Sequence, residues 1–201
     1  MLLTARNELL KTVKTKTSFT SGEYAKNKDI ASGPDFGGGE TGGRYMPAVD
    51  RYTGTLYTAD KNLAAHIRKA YHDPNSPRML IVSALYGLLH PLELIQDYNL
   101  QMSDSPAKSI WTRYLPGILK DYIERNAIKR VVMYFGGSTP YLTIARSAVE
   151  PLYEKGTIKQ VLRYDIERGN AYHTPYNHGL LLSQDLTGQS PGGFTRPYSL
   201  I

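Results

Sequence analysis

The chain has 201 residues, a formal net charge of +6 and no cysteine. A hydrophobic share of 41% is enough for one buried core, while the missing cysteines exclude disulfides, thiolate metal sites and a cysteine nucleophile. No apolar run approaches the length of a membrane span, and Met1 to Arg6 lacks the apolar stretch of a signal peptide, so a cytoplasmic protein without membrane attachment is expected. The basic excess favours an anionic partner such as nucleic acid, a nucleotide or a phosphate. The sixteen tyrosines either stack on bases or fill half-buried positions.

Residues 1–45 read as a basic and glycine-rich arm and loop. Lys11, Lys14, Lys16, Lys26 and Lys28 are opposed in their span only by Glu23, and interleaved threonines argue against a long helix. The segment 33–43, Gly-Pro-Asp-Phe-Gly-Gly-Gly-Glu-Thr-Gly-Gly, is a connector. It lacks the Lys-Ser/Thr pair of a phosphate-binding P-loop.

Residues 46–183 carry the patterning of an α/β domain. Asp60 caps a short helix ending near Tyr71, stopped by Asp73-Pro74. Met79 to Ser83 is a buried strand. Ser105-Pro106 opens a helix carrying Trp111, Tyr114, Leu115, Ile118 and Tyr122, which Pro116 should kink or split. Leu115-Pro116-Gly117-Ile118 admits a second reading, as the turn of a helix-hairpin-helix gripping phosphate. Arg130 to Phe135 is the second strand, Gly136 to Pro140 turns into a helix, and Ile158 to Tyr164 is the third strand. This alternation predicts one domain with a mainly parallel or mixed sheet flanked by helices. Residues 184–201, rich in Gly, Ser and Pro, read as a flexible tail.

In open α/β sheets ligands sit beyond the carboxyl ends of the strands. Three such ends should share one rim. The first offers Ser83, Tyr86 and Gly87. The second offers Gly136, Gly137, Ser138 and Thr139, either a phosphate cradle at a helix start or an ordinary capped turn. The third offers Asp165 and Glu167, a carboxylate pair for acid–base work or simple surface charge. Lys108 and Arg113 would suit a phosphate-lined helix face, interrupted by Asp121 and Glu124. His173 and His178 have no accompanying third ligand, so no metal is expected, and no motif calls for a cofactor.

The segment from Leu80 to Met102 carries Ser83, Tyr86-Gly87, Leu89, Pro91, Glu93, Ile95, Tyr98, Leu100 and Met102, preceded by Arg51-Tyr52-Thr53-Gly54-Thr55-Leu56-Tyr57 and followed by Trp111. In order and spacing this resembles the signature of the YaaA family, over about Arg51 to Ala148. The chain departs from that signature at His90, Asp97 and Asn99, where the family places Arg, Pro and Arg. The resemblance implies a cytoplasmic α/β protein that binds DNA in a basic cleft and limits oxidative damage. Under that reading Tyr86 and Tyr98 lie near bases or sugars. The alternative is an enzyme acting on a nucleotide or nucleobase, with Glu93, Asp165 or Glu167 as the acid–base group.

Overall fold

The computed structural model describes residues 1–15, 18–19, 22–23, 25–31, 45–137, 139–164, 173–188 and 197–199. The first element, α1 (Leu2–Thr15), is an amphipathic helix that buries Ala5, Arg6, Leu9, Leu10 and Val13. Ala5, Leu9 and Val13 repeat every four residues and form one apolar stripe, while Asn7, Lys11 and Thr15 stay outside. The start of the expected solvated arm is therefore a packed helix. Lysines and threonines on its outer face hid the stripe.

Short elements follow. The pair β1 (Ser18–Phe19) and β2 (Gly22–Glu23) is antiparallel, and a 3-10 turn spans Ala25–Asp29. Strand β3 (Tyr45–Pro47) leads into α2 (Ala48–Arg51), α3 (Thr55–Thr58) and α4 (Leu63–His72). The segment from Leu80 to Met102 folds as β4 (Ile81–Ser83), β5 (Gly87–Leu89) and β6 (Leu94–Gln96). Next come α5 (Ser105–Arg125), β7 (Arg130–Met133), α6 (Pro140–Glu154), β8 (Gln160–Tyr164), α7 (His173–Thr187) and β9 (Pro197–Ser199).

The architecture is mixed α/β, with a sheet less continuous than the alternation suggested. Strands β7 and β8 pair in parallel across the α6 crossover, and β9 adds antiparallel to β8. Strand β4 pairs only with β5, as an antiparallel ribbon, and β3 pairs with β6. Among the described residues β4 and β7 are thus both edge strands, each bonded on one side. One further expectation gives way. The helix α5 runs unbroken through Pro116, so Leu115 to Ile118 is no hairpin turn. Of the expected tail, Gln184 to Thr187 form the last turn of α7, and Pro197–Ser199 pairs with β8.

Three apolar clusters hold these pieces. The largest joins α1 and α5 to the β4–β6 region through Leu9, Val13, Leu85, Tyr86, Leu89, Ile95, Met102, Trp111 and Leu115. A second packs α5 and α6 on β7 and β8 through Ile123, Met133, Leu142, Val149 and Val161. The third joins Val49, Leu63, Ile67 and Leu182, with Tyr134 against it. At the end of β7 Met133 packs with α5 and α6, and Tyr134, just past the strand, packs with α7.

At the centre of the largest cluster Gly87 has a φ of +71°, a conformation glycine adopts without steric cost. A Cβ there would stand 2.5 Å from the Trp111 ring. Trp111, fully buried, donates its indole N–H to the Ala84 carbonyl at 2.7 Å. The Tyr-Gly pair of the signature is a packing device that lets the indole lie on the turn.

Candidate functional site

One large cleft, about 1550 Å³, runs along β4 and β7. At one end lie Arg78, Lys129 and Arg130. At the other lie Ser83, Tyr52, Tyr57, Tyr98 and Tyr141 with Gly136, Gly137 and Thr139, and α7 closes one side with His178 and Asp185. The two ends of the cleft are tied separately. The Arg78 guanidinium donates to the Asn126 side-chain oxygen ahead of β7. At the far end Tyr98, bonded to Ser83 behind β4, stands near Tyr141 at the start of α6. Strands β4 and β7 therefore run the same way, and the downstream ends of β4, β7 and β8 all reach this cleft, through Ser83, Gly136 and Tyr164.

The tyrosine end is a connected array. The Tyr52 and Tyr57 rings stack at 5.4 Å, and Tyr98 meets Tyr52 edge-on at 6.4 Å. The Tyr98 hydroxyl lies 3.0 Å from that of Tyr52 and 2.9 Å from Ser83 Oγ. Burial drives the phenols of Tyr52, Tyr57 and Tyr98 well above the usual tyrosine range, so they are neutral hydrogen-bonding groups. Beside them Phe135 stacks on Tyr141 at 6.1 Å.

At the β7–α6 turn the Thr139 hydroxyl donates to the Gly136 carbonyl at 3.0 Å and accepts from Leu142 N–H at 3.4 Å, capping α6. The Arg163 guanidinium flanks this turn: a Cβ on Gly137 would lie 3.7 Å from its Nη1. Opposite stands a group that the sequence reading overlooked. Tyr134 and Tyr164 both donate to the Asp185 carboxylate, Tyr164 at 2.9 Å to Oδ2. His178 Nε2 lies 3.0 Å from the Tyr164 carbonyl. Burial, then the bond to Asp185, lifts Tyr164 to about 12. His178 and Asp185 are seven residues apart, two helical turns, so they lie on one face of α7. That spacing was the available signal.

The expected site residues divide. Ser83, Tyr98, Gly136, Gly137 and Thr139 come together at the tyrosine end. Ser138, Asp165 and Glu167 lie outside the described residues. Tyr86 does not join them. It is 0% exposed, its hydroxyl accepts from Gln96 N–H at 2.9 Å, and its carbonyl accepts from Arg6 Nε at 2.8 Å. It is a core residue, as is Gly87. Glu93 faces away from the cleft and pairs with Arg6 Nη1 at 2.7 Å, fastening α1 to the β5–β6 connection. Lys108 and Arg113 lie on α5, also away from the cleft lining. Arg113 is neutralised by Glu8. Among the described residues no group of three or more His, Asp or Glu could hold a metal, and no helix is long and apolar enough to cross a membrane.

A mixed α/β chain whose strand ends open onto a tyrosine-rich cleft is thus the class defined by fold and geometry. The family model for peroxide stress protein YaaA matches residues 3–134, well over half of the chain, and the chain belongs to that family. Comparison with curated proteins finds no match.

Proposed function

We propose that the chain binds DNA as its part in the peroxide-stress role of the family, taking one or two unstacked bases into the tyrosine end of the cleft. What carries this reading is the meeting of the stacked Tyr52–Tyr57 pair and Tyr98 with the Gly136–Thr139 turn. Aromatic faces hold bases regardless of sequence, and an open glycine turn at a helix start, with Arg163 beside it, suits a phosphate. The half-burial of the Tyr52, Tyr57 and Tyr98 rings in the cleft favours a single strand or an everted base over a stacked duplex, because bases inside a duplex present no free face. The nucleotide-processing alternative loses its first candidate base, since Glu93 is committed to Arg6.

Fluorescence anisotropy with labelled single-stranded and duplex oligonucleotides tests this. Engagement of about two phosphates makes affinity fall roughly sevenfold between about 50 and about 200 mM salt. Tyr57→Ala weakens single-strand binding by about tenfold or more, in line with about 1–3 kcal/mol per stacked base. Binding that ignores salt, or that Tyr57→Ala leaves unchanged in a folded protein, refutes it.

A further inference from the structure

We infer that the stretch of cleft between β4 and β7 is a slot for one extended peptide strand, contributed by another polypeptide and carrying a carboxylate at one end. This goes beyond the DNA reading, which uses only the tyrosine end.

Four observations carry it. First, the cleft touches Met79, Leu80, Ile81, Val82 and Ser83 in unbroken succession into and along β4, and on the facing strand β7 it meets the neighbours Val132 and Met133. Neighbouring strand residues point to opposite faces, so a cavity that meets consecutive residues lies against the strand edge, not a face. Second, β4 bonds only β5 and β7 bonds only β8, so neither edge fronting the cleft has a backbone partner among the described residues. Half-buried backbone N–H and C=O groups require partners, and an extended chain between two such edges supplies them on both sides, as in strand addition to an open edge. Third, the volume of about 1550 Å³ exceeds the roughly 300–1,000 Å³ of small-ligand pockets, and close-packed interiors do not keep such voids between strands. Fourth, Arg78, Lys129 and Arg130 line one end, whereas the carboxylate in the lining, Asp185, is engaged by Tyr134 and Tyr164. The slot carries surplus positive charge at that end, complementary to an acidic residue or a terminal carboxylate.

The chemistry of the guest follows. Apolar side chains in or next to the two strands, Leu80, Val82, Val132 and Met133, line the slot together with Leu182 and Leu186 of α7, so a strand lying there needs a continuous β-branched apolar run rather than alternation. A guest of about five residues matches the run Met79 to Ser83, because neighbouring strands advance by the same rise per residue.

The test uses the full chain and a fluorescein-labelled peptide with five consecutive Val and Ile residues, lysines at one end and two aspartates at the other. Hydrogen exchange by mass spectrometry reports on the amides of β4 and β7. The expected result is saturable binding with slowed exchange in both strands. Methylating two central peptide nitrogens weakens binding at least tenfold, and Arg130→Glu weakens it several-fold. A proline at the peptide centre abolishes it. Equal binding by the methylated peptide would show an apolar surface without strand pairing and would overturn the inference. So would absence of binding, or a free chain that is dimeric with both strands already protected. The Tyr57→Ala variant keeps the peptide and weakens the oligonucleotide by about tenfold or more, so failure of one proposal is readable apart from the other.

Discussion

Replacing Arg6 with methionine separates structure from function in the signature region. Arg6 is almost fully buried and makes three contacts: Nε to the Tyr86 carbonyl at 2.8 Å, Nη2 to the Leu88 carbonyl at 3.1 Å and Nη1 to Glu93 at 2.7 Å. Its guanidinium also lies 5.4 Å from the Tyr86 ring centroid. Methionine fills the stem volume but leaves both carbonyls without this donor and the carboxylate without its counter-charge. Two charge-assisted bonds at about 1.5–3 kcal/mol each, less the relieved desolvation of the guanidinium, leave a loss of about 3–4 kcal/mol, inside the range for one-sided removal of a buried pair. Glu93→Gln is much milder, about 1 kcal/mol, because the Glu93 side chain is 28% exposed and its amide oxygen still accepts. Urea unfolding, followed by circular dichroism and by the fluorescence of the single tryptophan, measures both. For a chain of this size Arg6→Met lowers Tm by about 8–12 °C. An Arg6→Met loss below about 1 kcal/mol would refute the assigned role. So would a Glu93→Gln variant that keeps its stability but loses the oligonucleotide, since that carboxylate would then serve the ligand.

Gly87→Ala must both adopt a positive φ and push aside the Trp111 ring, at about 2–5 kcal/mol in all. The double variant with Trp111→Phe recovers part of the loss in a denaturation cycle. Gly179 in α7 meets the Leu56 backbone carbonyl where a Cβ would go, so Gly179→Ala separates α7 from α3 and lowers Tm by several degrees, seen by scanning calorimetry, while the α1–α5 core keeps its amide protection. The buried phenols set an alkaline limit. Tyr86 and Tyr164 are lifted to about 12 and Tyr52, Tyr57 and Tyr98 are raised too, so the unfolded chain releases their protons first and stability falls as pH rises above about 10. Absorbance at the tyrosinate band then rises in step with loss of circular dichroism, and smooth ionisation of every tyrosine in a still-folded protein would contradict the burial.

What was legible in the sequence was whatever one period could express. The β-branched run at Val131 and Val132, the proline at the start of α5 and the Ser/Thr-Pro opening of α6 fix elements through local rules, and all three stand where they were read. Helix α1 was missed because its buried stripe is interleaved with lysine and threonine, and because Arg6, a charged residue, belongs to the core through partners some eighty positions away. The convergence of Ser83 and Gly136 on one cleft was legible from the rule for strand ends. Their partition from Tyr86 was not, since the side on which a turn residue falls depends on Trp111 and Gln96 arriving from elsewhere. The carboxylate of the cleft, Asp185, lay in a stretch whose glycines and serines suggested a tail.

The walls of the cleft come from two successive parts of the chain. The matched span, residues 3–134, contributes Tyr52, Tyr57, Ser83 and Tyr98, but the facing wall of Thr139, Tyr141, Tyr164, His178 and Asp185 comes from beyond it. The cleft is thus built from two successive stretches of chain that meet along one seam. Exchanging the segment after residue 134 between two members should transplant ligand preference while leaving the stability of the α1–α5 core with the recipient.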